Sequence, residues 1–242
     1  MKPKKPYWVE RMNAARKAWA VLRPCDRPAG RRPTAGGFSF STKRLVAPGV
    51  RWEAQVQGDS HFCVEKDWEI RVRLYLYDRE VAALESHAKG DDRSMMACVD
   101  FDVLAAADFL ARRDRGWAPP EFSFEATDDA LVGQLAAYSH RVDRLWQFAG
   151  GHDLAAFRKL AIWVMRNADS VGSATTDPGM ICAAWAYGER ELAVNLHEAY
   201  EAQWEEKLRT NRAYEALPNL RADLQGEFGR LRGIISLSAK GR

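Results

Sequence analysis

The sequence predicts an α+β fold: an N-terminal helix and an antiparallel β-meander of about four strands, followed by a helical C-terminal half. Three observations predict it. Apolar residues recur at helical spacing over residues 7–23, at a spacing of two within residues 38–104, and at helical spacing again from about residue 105. Strands gathered in one stretch and helices in another mark a segregated α+β arrangement. The expected division is 1–104 for the basic N-terminal helix and the sheet, and 105–242 for the helical half packed on it.

The first helix rests on Trp8, Met12, Ala15, Trp19 and Leu22, which fall on one helical face. Pro24 stops it, and Pro24–Gly37 reads as a loop. The period then changes. Val50, Trp52, Ala54 and Val56 alternate with Arg51, Glu53, Gln55 and Gln57. Trp68, Ile70, Val72, Leu74 and Leu76 alternate with Glu69, Arg71, Arg73, Tyr75 and Tyr77. Shorter alternations run through Phe38–Leu45 and Ala97–Val103. Such alternation gives strands one buried and one wet face, as in antiparallel sheets. The links at 47–49 and 58–67 suit hairpins, and Trp52 and Trp68 are expected on the face covered by the first helix.

From about Asp102 the chain turns helical. Leu131, Leu135, Tyr138, Val142, Leu145, Trp146 and Ala149 form one stripe, with Asp128 or Asp129 as the expected N-cap. Gly150-Gly151 ends that helix and Asp153 opens the next. Ile162, Trp163, Val164 and Met165 are consecutive, which predicts burial nearly all round. A polar loop is expected over Asn167–Thr176. Asp177-Pro178 then matches an N-cap followed by proline at the first helical position. Gly188 breaks that helix, a long one runs from Glu189 to about Arg209, and the last starts near Pro218. A helical repeat is not supported. Aligning Gly188 with the tetratricopeptide glycine puts Ala184 at that family's tryptophan and Tyr200 at its small alanine.

Charge is unevenly distributed. Residues 1–45 carry twelve Lys or Arg against Glu10 and Asp26, a charge of +10 that leaves −7 on the rest of a chain whose net charge is +3. A basic end on an acidic body suits either contact with an anionic partner or a solvated terminus. Cys25, Cys63, Cys98 and Cys182 form no C-x-x-C pair and follow no apolar leader, so they read as reduced core residues of a cytoplasmic protein. No apolar run approaches the roughly 18 residues that span a bilayer, and no membrane contact is expected.

The search for chemistry returns little. The five histidines form neither H-x-x-x-H nor H-E-x-x-H. His61 and Cys63 near Asp59 read as coincidence, and His197 with Glu201 as an i,i+4 surface pair. Asp100 and Asp102 form a D-x-D that suits Mg²⁺, but the Gly-rich turn of a nucleotidyltransferase is missing and Asp102 also fits an N-cap. There is no phosphate-binding loop, dinucleotide fingerprint or nucleophile elbow. No catalytic residue, metal ligand or cofactor is assigned.

Two surfaces stand out instead. Arg71, Arg73, Tyr75 and Tyr77 share the wet face of one strand, and Arg and Tyr dominate binding hot spots. The long late helix presents Glu198 and Glu201 on a side that also carries Glu189, Glu191, Glu205 and Glu206. These six residues (Arg71, Arg73, Tyr75, Tyr77, Glu198, Glu201) are the candidate partner-binding set. The expected function is a non-catalytic bacterial protein-binding protein of the toxin-neutralising immunity or antitoxin type, which the α+β outline resembles in architecture alone. The first alternative is a nucleic-acid-binding accessory protein using residues 1–45. The second is an enzyme with a carboxylate site around Asp100 and Asp102.

Overall fold

A computed structural model describes residues 7–29, 38–59, 69–91, 98–113, 128–173, 177–214, 217 and 219–236. Helix α1 (Tyr7–Leu22) precedes strands β1 (Arg27–Ala29), β2 (Phe38–Ala47), β3 (Val50–Asp59) and β4 (Glu69–Asp78). Helix α2 (Arg79–Lys89), strand β5 (Val99–Asp102) and helix α3 (Val103–Ala111) follow. The rest is helical: α4 (Asp128–Ala149), α5 (Leu154–Arg166), a short 3₁₀ turn at Ala168–Ser170, α6 (Pro178–Ala186), α7 (Arg190–Thr210) and α8 (Leu220–Ser236). The architecture is the α+β one the apolar periods imply.

All strands pair antiparallel in the order β1-β2-β3-β4-β5. The β2–β3 turn places Gly49 at φ 79°, a left-handed conformation that favours glycine, and its carbonyl accepts from Arg79 N at 3.0 Å. Alternation decides the two faces. Trp52, Ala54, Val56, Val72, Leu74 and Leu76 are fully buried, while Arg51, Glu53, Gln55, Arg73, Tyr75 and Tyr77 on the other face are only half-buried. The buried face meets α1 and α4. Trp19 of α1 donates Nε1–H to Thr42 Oγ1 at 2.9 Å, Tyr138 of α4 donates its hydroxyl to Ile70 O at 2.9 Å, and Trp146 lies 5.8 Å from the ring of Trp52. One apolar cluster joins these residues to Phe157 and Leu160 of α5, Ile181 of α6, Leu196 of α7 and Leu231 of α8.

Several sequence expectations shift. Residues 27–29 form β1 inside the expected loop. The β4–β5 connection contains α2, a helix not expected from the apolar periods. Asp128 already stands in the first turn of α4, whereas Asp153 and Asp177 cap as expected, accepting from Ala156 N at 2.8 Å and Met180 N at 2.9 Å. Along α5, Val164 and Met165 are buried but Ile162 and Trp163 are half-buried, which corrects the all-round burial. Cys98 and Cys182 are buried free thiols; Cys25 is exposed, not a core residue. Trp68, His61 and Cys63 lie outside the described residues, as does the side chain of Asp59. Among the described residues no helix is long and apolar enough to cross a membrane.

Candidate functional site

Strand β4 lies between β3 and β5, and its four candidate side chains share the sheet face opposite the buried one. Arg71 is exposed, and Arg73, Tyr75 and Tyr77 are half-buried. The register sets their neighbours: Gln57 opposite Arg71, Gln55 opposite Arg73, Glu53 opposite Tyr75 and Arg51 opposite Tyr77. Strand β2 adds Ser41, Lys43 and Leu45 to the same face, because its alternate residues Phe40 and Thr42 are buried. The described side chains of β2 to β5 on this face include Lys43, Arg51, Arg71 and Arg73 against Glu53, Asp100 and the capping Asp102.

Two contacts fix this surface. The Arg73 guanidinium donates from Nη2 to Asp100 Oδ2 at 2.5 Å and to Gly172 O at 3.2 Å. Burial pulls its pKa down, but the Asp100 hydrogen bond and charge outweigh that and leave it raised. The Arg51 guanidinium lies 4.2 Å over the Tyr77 ring, a cation–π contact between neighbouring strands. Burial, followed by the Glu53 carboxylate, pushes the Tyr77 hydroxyl up to about 12, and burial also raises Tyr75. Both phenols therefore keep their protons at neutral pH. They present an apolar ring and a hydrogen-bonding tip, which serves recognition rather than proton transfer.

The carboxylates proposed for metal chemistry are engaged in the fold. Asp100 holds Arg73, and Asp102 Oδ1 caps α3 by accepting from Leu104 N at 2.8 Å and Ala105 N at 2.9 Å. No group of three or more His, Cys, Asp or Glu able to hold a metal occurs among the described residues.

The second candidate surface is on a different element and is partly spent internally. Glu198 is exposed on α7. Glu201 accepts from Arg232 Nη2 of α8 at 2.6 Å, and His197 Nε2 lies 3.6 Å from the same oxygen, so Glu201 joins α7 to α8. Helix α7 packs on α6 and α8, so this surface does not merge with the β4 face. The basic N-terminal segment is also reduced as a surface. Arg23 is buried, donates to Asp26 Oδ2 at 2.8 Å, to Asp143 Oδ1 at 2.9 Å and to Ser139, and lies 5.3 Å over the Trp52 ring. Sequence spacing could not find that network, because Arg23 and Asp143 are 120 residues apart. Arg16, Lys17, Arg27 and Lys43 remain exposed.

No protein-family model, curated protein or solved structure matches this chain.

Proposed function

We propose that the chain is a non-catalytic binding protein that docks a protein partner on the sheet face opposite the buried one, with a toxin-neutralising immunity or antitoxin protein as the concrete form. One observation carries this reading: Arg71, Arg73, Tyr75 and Tyr77 stand together on the face of the inner strand β4 opposite the buried one, with Arg51 and Lys43 on the neighbouring strands. A rigid sheet presents these large side chains with little ordering cost, and the Arg51–Tyr77 and Arg73–Asp100 contacts preorganise them further. The exposed Arg71 guanidinium beside the Tyr75 and Tyr77 rings suits a partner with acidic side chains around an apolar centre.

The test is affinity capture from the native host, with and without nuclease, using the wild-type chain and the Arg71→Glu/Tyr75→Ala double variant. The expected result is one stoichiometric protein that survives nuclease and is lost by a variant whose unfolding midpoint is unchanged. Loss of every partner on nuclease treatment would support nucleic-acid binding instead. Retention of the partner by a folded double variant would remove this face from the proposal.

A further inference from the structure

Helices α2 and α6 pack against each other over two acids. Glu85 of α2 is 1% exposed. Its Oε1 accepts from the Lys89 ammonium at 2.5 Å, whereas its Oε2 is buried and has no hydrogen-bond partner among the described residues. A buried carboxylate oxygen left unpaired is costly, and folded chains keep few of them. Asp177, half-buried at the N-cap of α6, stands next to it. Asp177 Oδ1 and Glu85 Oε2 lie 3.2 and 3.3 Å from the point where a Cβ on the buried Gly179 would stand, so glycine leaves the space between the two acids open.

The described groups that face this joint come from every element around it. Lys89 lies beside Glu85 on α2, Cys182 is on α6, Asp100 on β5, Tyr200 on α7 and Glu227 on α8. Asp100 is paired with Arg73, and Glu227 accepts from the Tyr200 hydroxyl at 2.7 Å. Arg230 of α8 donates its guanidinium to Ala88 O and Lys89 O at the end of α2. Burial pushes the Cys182 thiol up to about 12 and also raises Tyr200, so both stay neutral. Among these groups, an ionised Asp177 adds a second carboxylate to a Glu85 that Lys89 already balances; a protonated Asp177 adds no charge. Burial raises the Asp177 pKa to about 6, with the Met180 N–H opposing and the Glu85 charge adding, which is the direction this imbalance requires.

We propose that Glu85 and Asp177 share one proton, held in the space beside Gly179, and that this proton makes the α2–α6 joint a pH-sensitive switch. Lys89 keeps Glu85 ionised, so Glu85 Oε2 accepts and Asp177 carries the proton, while an Asp177 oxygen continues to accept from Met180 N. The orphaned Oε2 then has its partner. Loss of the proton as pH rises through about 6 leaves two carboxylates facing each other across the joint, and their repulsion loosens α2 from α6. The switch joins two helices and stands or falls independently of the docking proposal.

The experiment follows the side-chain carboxyl carbons of the full chain by nuclear magnetic resonance over a pH series. Amide exchange in α2 and α6, corrected for its intrinsic pH dependence, is measured alongside. In wild type the Glu85 and Asp177 carbons should step together at a pH of about 6, and protection of both helices should fall through that step. Asp177→Asn offers Glu85 an amide donor at every pH, so the Glu85 step should vanish and protection should stay level. Gly179→Ala keeps both acids and suits a helix, but its methyl parts them, so their carbons should no longer step together. Unfolding midpoints establish that each variant is folded, and the wild-type titration decides by itself if one is not. The proposal is overturned if the two wild-type carbons titrate separately, if the Glu85 step persists in folded Asp177→Asn, if folded Gly179→Ala keeps the common step, or if protection ignores that step.

Discussion

Asp177 caps α6 beside a second carboxylate. Its Oδ1 and the buried Oε2 of Glu85 lie 3.2 and 3.3 Å from where a Cβ on Gly179 would stand. Burial raises the Asp177 pKa to about 6, with Glu85 adding to the rise and the Met180 N–H opposing it. A pKa raised on folding contributes stability that is full below the unfolded value near 4 and is lost as pH rises through about 6. Asp177→Asn keeps an oxygen for the cap and removes the titrating proton. Its stability relative to wild type should therefore improve from pH 4 to pH 7 and then level off, as paired urea denaturations would show. A constant difference across that window would remove Asp177 as the cause. The comparison needs the variant because His152, tilted against Trp146 at 5.0 Å and stacked on Trp52 at 6.5 Å, acts oppositely. Burial and the neighbouring Arg44 and Arg23 lower its pKa, so its contribution is lost as pH falls below about 6.5.

Among the elements, α4 is a long amphipathic helix whose buried stripe packs with α1, α3 and α5 and reaches the sheet through Tyr138 and Trp146. Leu135 is completely buried there, and Leu135→Ala should cost about 3 kcal/mol. Arg73→Ala and Glu201→Ala remove ion pairs at partly exposed sites and should each stay within about 1 kcal/mol. Urea midpoints of the three variants check this ranking, and an equal loss at Arg73 would mean that its Asp100 contact holds β4 and β5 together. Elements with an unbroken apolar period were legible in the sequence, as α4 and β4 illustrate. Helix α2 was not, although it has an Asp78 cap and a left-handed Gly90 at its end. Its buried stripe is Val81, Glu85 and Ala88, and the carboxylate, paired with Lys89 at 2.5 Å, interrupts the apolar pattern. Strand β1 is three residues long and includes Pro28, too short to show a period. The face that carries Tyr75 and Tyr77 was legible because strand alternation alone assigns it. Its Arg73–Asp100 contact and the Glu85–Asp177 pair were not, since both depend on how separate elements pack.

At the scale of the molecule, α1 connects the start of the chain to its helical half. It packs on α4 and β2, burying Ala15 and Trp19 completely. The Arg23 side chain just beyond it is held by Ser139 and Asp143 of α4. Deleting residues 1–22 should therefore cost more than about 3 kcal/mol, the scale of a single large core truncation. It should also expose Trp52 to solvent. Thermal unfolding followed by near-ultraviolet dichroism would register both effects, and an unchanged transition would show α1 to be dispensable.

The margins of the sheet have a consequence of their own. Strands β2, β3 and β4 have ten residues each, but the outermost strands have only three and four. The β5 side is further occupied, since Asp102 N donates to Val171 O at 3.2 Å and Ser173 Oγ donates to Asp100 O at 2.7 Å. Short outermost strands are one way in which a sheet limits strand addition, and at the β5 end Val171 and Ser173 take part of the remaining backbone. A partner docked on the proposed face would be read through its side chains. Fidelity would then depend on a few amino acids of that partner, and a close paralogue could escape capture by changing one or two of them.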